Sequence, residues 1–376
     1  MRAEIIDQGR GIELWLDDGS SYRFHSTWLR FNAPDPKTIS ADNGQRLVTL
    51  GQLPENLCVT GASLIGEHLE LCFNGDDERF EVPLGWLVAH RYDFADQPRH
   101  DLPPFTTLWD GSDALEPVRF DALQSSDTAR YDWLSDLVKR GVARVSDGPI
   151  RDGALFELTA LFGYVRETNY GRQFEVRTEP NPSNLAYTGL GLQAHSDNPY
   201  RDPSPTVQML YCLESSATGG ESQVVDGFAA AMRLKREDPD AFALLAQYPV
   251  HFRYAGSQDV DLVAERPLIE LDALGRLKSV AFNNRSMGPL SHVPYGMVEA
   301  YFAAYRMLEQ IIDDPAMTLE FRLAPGQAFV VDNRRVLHAR KAYREDGVRW
   351  LQGCYADMDS VMSAWRVLGK KLHANF

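Results

Sequence analysis

His195-Ser196-Asp197 sets an imidazole and a carboxylate two residues apart. On an extended chain such positions face the same side, so both groups can reach one metal ion. A second imidazole, His338, comes much later, in Asp332-Asn333-Arg334-Arg335-Val336-Leu337-His338, just after a strand-like run. Two His and one carboxylate on one face of Fe(II) leave positions open for a chelating co-substrate and O2, the chemistry of non-heme iron oxygenases. Alone, His-x-Asp arises often by chance and is usually a solvated surface pair, so its company decides. Arg349 sits on the next predicted strand, Val348-Arg349-Trp350-Leu351-Gln352. A guanidinium there can hold a distal carboxylate by two parallel hydrogen bonds, where otherwise it would be a surface ion pair.

The elements that must position these groups show as periodicity. Apolar spacing predicts helices at 130–139, 155–162, 229–237 and 298–312, and strands at 141–145, 206–211, 250–254, 279–282, 319–323 and 327–331. Strands outnumber helices and do not alternate with them. This predicts an α+β chain whose catalytic domain is a jelly roll buttressed by helices rather than a doubly wound sheet. Nearer the N-terminus, Ile12–Leu16 and Tyr22–Phe24 flank Asp17-Asp18-Gly19, and Trp28-Leu29-Arg30 follows. The pattern returns as Leu69–Phe73, Asn74-Gly75, Arg79–Glu81 and Trp86-Leu87, a weak internal duplication of hairpins. We expect a small β-rich N-terminal domain over 1–93, a proline-marked linker or wrapped loop over 94–116, and the catalytic domain over 117–376.

Composition narrows the function classes. The chain has 376 residues, 44% of them apolar or aromatic and 24% charged, as in a folded globular protein. Its net charge of −15 would repel phosphate backbones and anionic membrane surfaces, so no nucleic-acid or membrane partner is expected. Cys58, Cys72, Cys212 and Cys354 are scattered without metal or disulfide spacing, and the N-terminal residues carry no apolar export signal. A cytoplasmic location is the expectation.

Three stretches carry a resemblance. Ser183 to Pro199 (SNLAYTGLGLQAHSDNP), Ala217 to Phe228 (ATGGESQVVDGF), and Asp332 to Arg340 (DNRRVLHAR) with Gly353 to Asp357 look like the γ-butyrobetaine hydroxylases. Those are Fe(II)/2-oxoglutarate dioxygenases of the taurine-dioxygenase type, and the N-terminal Trp-Leu-Arg module matches as well. The resemblance implies a double-stranded β-helix in which His195, Asp197 and His338 ligate iron. It implies that Arg349 anchors 2-oxoglutarate with Thr218 and Leu210 nearby, and that O2 is consumed. It also implies an aromatic cage for a trimethylammonium head at Tyr170, Phe174, Tyr187 and Tyr355, with Phe174 standing where the family has Trp. A quaternary ammonium donates no hydrogen bond, so ring faces are its natural receptor; four aromatics could equally be ordinary core.

Asn184, Asn283, Asn284, Arg285, and Tyr200 with its neighbours Asn198 and Arg201, are candidates for the anionic end of such a zwitterion. An additional guanidinium at Arg285 suits a dianionic phosphonate better than a carboxylate, unless it points to solvent. Ala33, Asp35, Thr38 and Glu78 stand where family members with a structural zinc site have three Cys and a His, so no structural zinc is expected. The leading reading is hydroxylation of 2-(trimethylamino)ethylphosphonate at the carbon next to phosphorus. The alternative is γ-butyrobetaine hydroxylation to L-carnitine, and one of another class is a non-catalytic betaine-binding sensor. A homodimer is expected, with the N-terminal module as a structural or dimerisation piece.

Overall fold

The computed structural model describes residues 1–75, 79–92, 100–177, 189–257, 259–344 and 346–373. Glu78, Asn184 and Tyr187 lie outside the described residues. The chain divides into two compact units, Met1–Pro98 and Arg99–Phe376.

In the first unit each of the two hairpins forms the last two strands of a three-stranded antiparallel meander. Arg2–Ile6, Gly11–Trp15 and Ser21–His25 lead into a helix at Ser26–Asn32. Val59–Ile65, His68–Phe73 and Arg79–Pro83 lead into another at Leu84–Ala89. Alternate residues, among them Ile12, Leu14, Leu69, Leu71 and Phe73, form one apolar core. The Trp-Leu steps lie on the two helices, with Trp28 and Trp86 rings 5.6 Å apart. The Thr38 hydroxyl donates to Asp35 (2.6 Å) and receives Arg30 Nη1 (2.9 Å).

The second unit is mixed α+β and layered. A six-stranded sheet runs Pro117–Arg119, Val142–Ser146, Ala328–Asp332, Val207–Ser215, Arg349–Ala356, Phe174–Val176. A four-stranded sheet runs Leu192–His195, Val336–Arg340, Ser222–Asp226, Thr318–Phe321. The period of two explains how they stack. Val207, Met209 and Tyr211 join a cluster with residues of the helices Asp127–Arg140, Leu155–Thr159 and Met358–Leu372. Their neighbours Leu210 and Cys212 join Phe329, Val331 and Leu351, together with Val224, Leu319 and Val336 from the other sheet. Val225 and Leu337 face the opposite way, onto helices Gly227–Glu237, Pro239–Gln247 and Val298–Ile312. The order is helices, sheet, sheet, helices. By the same parity Gln208, His338, Arg349 and Tyr355 project between the sheets.

The proline-marked stretch is tied down through Trp109 and Leu115, both buried, while most of its other described residues stay exposed or half-buried. Trp109 is buried in the inter-sheet cluster, and its indole N–H donates to the Arg140 carbonyl (2.7 Å). The predicted helix at 155–162 stops at Thr159, and the predicted strand at 279–282 runs instead over Leu277–Val280. No described helix is long and apolar enough to cross a membrane.

One buried ion pair anchors the turn that leads to His338. Arg335 meets Asp226 through two bonds (Nε to Oδ1 2.9 Å, Nη2 to Oδ2 2.7 Å), with side chains 3% and 0% exposed. Arg335 also donates to the carbonyls of Lys139 (2.7 Å) and Thr107 (2.6 Å). Asp226 accepts the Phe228 N–H at the start of its helix, a position where a carboxylate is favoured. Removing one member of such a pair leaves an uncompensated buried charge. Asp226→Ala should therefore cost about 3–5 kcal/mol in urea unfolding, and a loss below about 1 kcal/mol would show that the pair is not an anchor.

Candidate functional site

A cavity of about 370 Å³ opens between the sheets, lined by Val176, Leu210 and Leu351 of one and by Leu192, His195, Ser222 and His338 of the other. The hairpin strand Val250–Ser257 contributes Arg253 and Tyr254, and the segment after Phe282 contributes Asn283, Arg285 and Ser286.

His195 ends its strand directly opposite His338 in the antiparallel register, with ring centroids 4.2 Å apart. The chain does not stay extended beyond it. Asp197 lies in a bend that two asparagines hold. The Asn283 amide donates to the Ser196 carbonyl (2.9 Å). Asn333 accepts the Asp197 N–H (2.7 Å) and donates back to the Asp197 carbonyl (2.8 Å). The bend brings Asp197 Oδ1 to 3.4 Å from His195 Nε2 and 3.8 Å from His338 Nε2.

The proton arrangement suits a cation. His195 Nδ1 faces the Gln193 carbonyl at 2.8 Å, and since a carbonyl only accepts, Nδ1 carries the proton and Nε2 the lone pair. Asp197 Oδ2 accepts from Gln208 Nε2 (2.5 Å) and the Tyr355 hydroxyl (2.8 Å), leaving Oδ1 to the imidazoles. Burial, with His195 alongside, pushes His338 down to about 3, so its ring is neutral near pH 7. Burial opposes ionisation of Asp197, but His338, His195 and the Tyr355 hydroxyl outweigh it and hold the carboxyl well below its usual range. Two imidazoles and one carboxylate thus converge with donor atoms within 4.8 Å of one another. His338 Nδ1 is buried without a hydrogen-bond partner among the described residues. This N2O donor set fits Fe(II) with open positions.

Arg349 is 7% exposed, and burial lowers it to about 10, which still leaves it cationic at neutral pH. Its Nε donates to the Gly220 carbonyl (3.0 Å), while Nη1 is buried without a partner among the described residues. A carboxylate is what such a group lacks. Leu210 lines the cavity beside it, but Thr218 does not. Thr218 is exposed, and its N–H goes to the Asp346 carboxylate (2.9 Å).

Tyr170, Phe174, Tyr200 and Tyr355 all line the cavity. Ring centroids step from Tyr355 to Phe174 (5.0 Å), to Tyr170 (6.4 Å), to Tyr254 (5.7 Å), to Tyr200 (5.2 Å). Tyr200 donates to Asn198 (2.7 Å) and so accepts from Tyr170 (2.9 Å); these hydroxyls are satisfied among themselves. Gly353 makes room for Phe174, since a Cβ there would lie 2.3 Å from its ring. Arg285 lines the cavity, whereas Asn284 turns away to Gln193 (2.7 Å) and Glu309 (3.0 Å). Arg201 is also outside the lining and pairs with Asn169.

Sequence reasoning missed Gln208, Tyr254 and Ser286. Gln208 was reachable, because it shares a strand face with Leu210. Tyr254 comes from a segment with no motif, and Ser286 follows the singled-out Asn283-Asn284-Arg285 without a signal of its own. Tyr355, read from sequence as a cage wall, also donates to a ligating carboxylate, and loss of such a partner typically weakens metal binding. Tyr355→Phe should weaken anaerobic Fe(II) binding by about 10- to 100-fold. Unchanged affinity would reduce Tyr355 to a ring alone.

Comparison with known proteins agrees with this geometry. Residues 102–355 match the family described as "Taurine catabolism dioxygenase TauD, TfdA family". The gamma-butyrobetaine dioxygenase of Pseudomonas sp. (strain AK-1) is 33% identical over 361 residues, 95% of this chain and 94% of that protein. The human gamma-butyrobetaine dioxygenase is 30% identical over 383 residues, covering 99% and 97%. The mitochondrial trimethyllysine dioxygenase of Rattus norvegicus is 29% identical over 361 residues, covering 94% and 84%. With its two-histidine, one-carboxylate centre and a match spanning most of its length, the chain belongs to the TauD/TfdA family and is a non-heme Fe(II)/2-oxoglutarate-dependent dioxygenase.

Proposed function

We propose that the enzyme hydroxylates 2-(trimethylamino)ethylphosphonate at the carbon next to phosphorus, inside a double-stranded β-helix formed by the two packed sheets. His195, Asp197 and His338 would hold the iron, and Arg349 with Leu210 would place 2-oxoglutarate. When bound, iron with 2-oxoglutarate and O2 supplies the oxidant that turns C–H into C–OH, leaving succinate and carbon dioxide. The chain's own residues do the rest by orientation and exclusion of water. The rings of Tyr170, Phe174, Tyr200, Tyr254 and Tyr355 offer faces to the trimethylammonium head, each worth on the order of 0.5–2 kcal/mol.

The observation that carries the anionic end is Arg285. It lines the same cavity as the rings, yet among the described residues its side chain has neither an ion pair nor a hydrogen bond. Beside it the buried Ser286 hydroxyl also has no partner among the described residues. A guanidinium and a hydroxyl with open capacity suit an anion with three oxygens. The names of the relatives favour a second reading, γ-butyrobetaine hydroxylated to L-carnitine, in which a carboxylate would meet Arg285. A betaine sensor has no use for an intact iron centre and a buried Arg349.

Succinate release with the two zwitterions at equal concentration separates these readings. If Arg285 clamps the phosphonate, Arg285→Ala should raise KM for it by about 10- to 150-fold, the loss of one charge-assisted contact, with kcat little changed. Preference for γ-butyrobetaine, with a KM indifferent to Arg285, would end the phosphonate assignment.

A further inference from the structure

A second meeting of imidazoles and carboxylate lies outside the cavity. His251 on Val250–Ser257 stands opposite Glu265 on Val260–Arg266 in the hairpin register, and His292 reaches the same carboxylate from the segment beyond Gly288. His251 Nδ1 is 3.3 Å from Glu265 Oε1, and His292 Nε2 is 3.2 Å from Oε2. The two rings stack with centroids 5.1 Å apart at 28°. One ligand atom from each residue lies within 4.8 Å of the others.

As ion pairs these contacts are long, since charge-assisted bonds of this kind run about 2.7–2.9 Å. Two protonated imidazoles stacked on one another would also repel. The spacing fits a metal better: a tetrahedron with bonds of about 2.0–2.1 Å has edges of about 3.4 Å. Side-chain exposures of 30%, 48% and 39% for His251, Glu265 and His292 leave a fourth position open to water. Two imidazoles and a carboxylate form a borderline donor set that selects Zn2+ over Ca2+ or Mg2+.

We propose that His251, Glu265 and His292 form a second divalent-cation site, for Zn2+, separate from the iron centre. Its place in the fold gives it a task. The Arg253 N–H donates to the Ser286 carbonyl (2.8 Å) and the Gly288 N–H to the His251 carbonyl (2.7 Å), so the strand and the 283–292 segment already touch. Each contributes to the cavity wall, Arg253 and Tyr254 from one and Arg285 and Ser286 from the other. An ion on His251, Glu265 and His292 staples these two walls together, whatever the substrate is.

Equilibrium dialysis of the metal-stripped full chain against Zn2+, with bound metal counted, tests the site. The iron triad also takes Zn2+ and so reports that each variant is folded. The natural chain should bind two equivalents and His251→Ala/His292→Ala one. Glu265→Gln, which keeps the shape and removes the charge, should weaken the second equivalent at least tenfold. Zinc should slow exchange of the Gly288 amide in the natural chain and not in the double variant. One equivalent in the natural chain, or two in the double variant, would overturn the proposal. So would a Gly288 amide indifferent to zinc in the natural chain.

Discussion

The buried pair between Asp226 and Arg335 is the constraint on which the site rests. Neither charge reaches water, and each is satisfied only by the other and by backbone groups drawn from three separate segments. Such a pair adds little net stability compared with apolar packing, but it tolerates one arrangement only. That arrangement fixes the turn Asp332-Asn333-Arg334-Arg335, and the turn serves both halves of the metal centre. Asn333 grips the backbone of Asp197, and the strand that follows Arg335 delivers His338. The centre is assembled from distant parts of the chain, and one short turn sets their relative position.

Residue chemistry suggested the pairing of His195 and Asp197 with His338 and the cation Arg349, and the family resemblance gave them their expected roles. The two-residue period made the layering legible too: adjacent residues of Val207–Ser215 feed different cores. Other features were hidden for physical reasons. Asn284 adjoins residues that do line the site, but backbone direction sends it outward, and Thr218 lies on a turn outside the lining. Thr218 precedes Gly219 and Gly220, both with positive φ, where the chain turns; Asn284 and Asn283 are consecutive and project oppositely. The leading strand of the first meander, Arg2–Ile6, is mostly exposed and so carries little apolar alternation. Tyr254 and Ser286 gain their meaning only from the hairpin and loop that fold over the cavity.

Preorganisation of the centre follows from desolvation and hydrogen bonding together. Burial keeps His338 neutral, the Gln193 carbonyl fixes the tautomer of His195, and Gln208 with Tyr355 occupies the second oxygen of Asp197. Each device removes an alternative arrangement that the same three side chains could adopt without a metal. The donor atoms therefore need little reorganisation when an ion arrives.

The cavity and the whole molecule carry opposite signs. The chain has a net charge of −15, yet its cavity is lined by Arg253, Arg285, Arg340 and Arg349, with Asp197 the lone carboxylate of the lining among the described residues. A dianion such as 2-oxoglutarate is repelled at a distance and attracted once inside; a carboxylate betaine presents no monopole to the outer field, whereas a dianionic phosphonate beside one trimethylammonium keeps a single net negative charge. With a screening length of about 8 Å at physiological ionic strength, added salt dampens the outer repulsion, and with it the exposed Arg285 and the exposed, Asp261-paired Arg253, before it reaches the buried Arg340 and Arg349. Ionic strength thus acts most on the capture of the dianionic co-substrate, less on a phosphonate zwitterion with one net negative charge and least on a neutral carboxylate betaine, so the ligands answer unequally to the same solution.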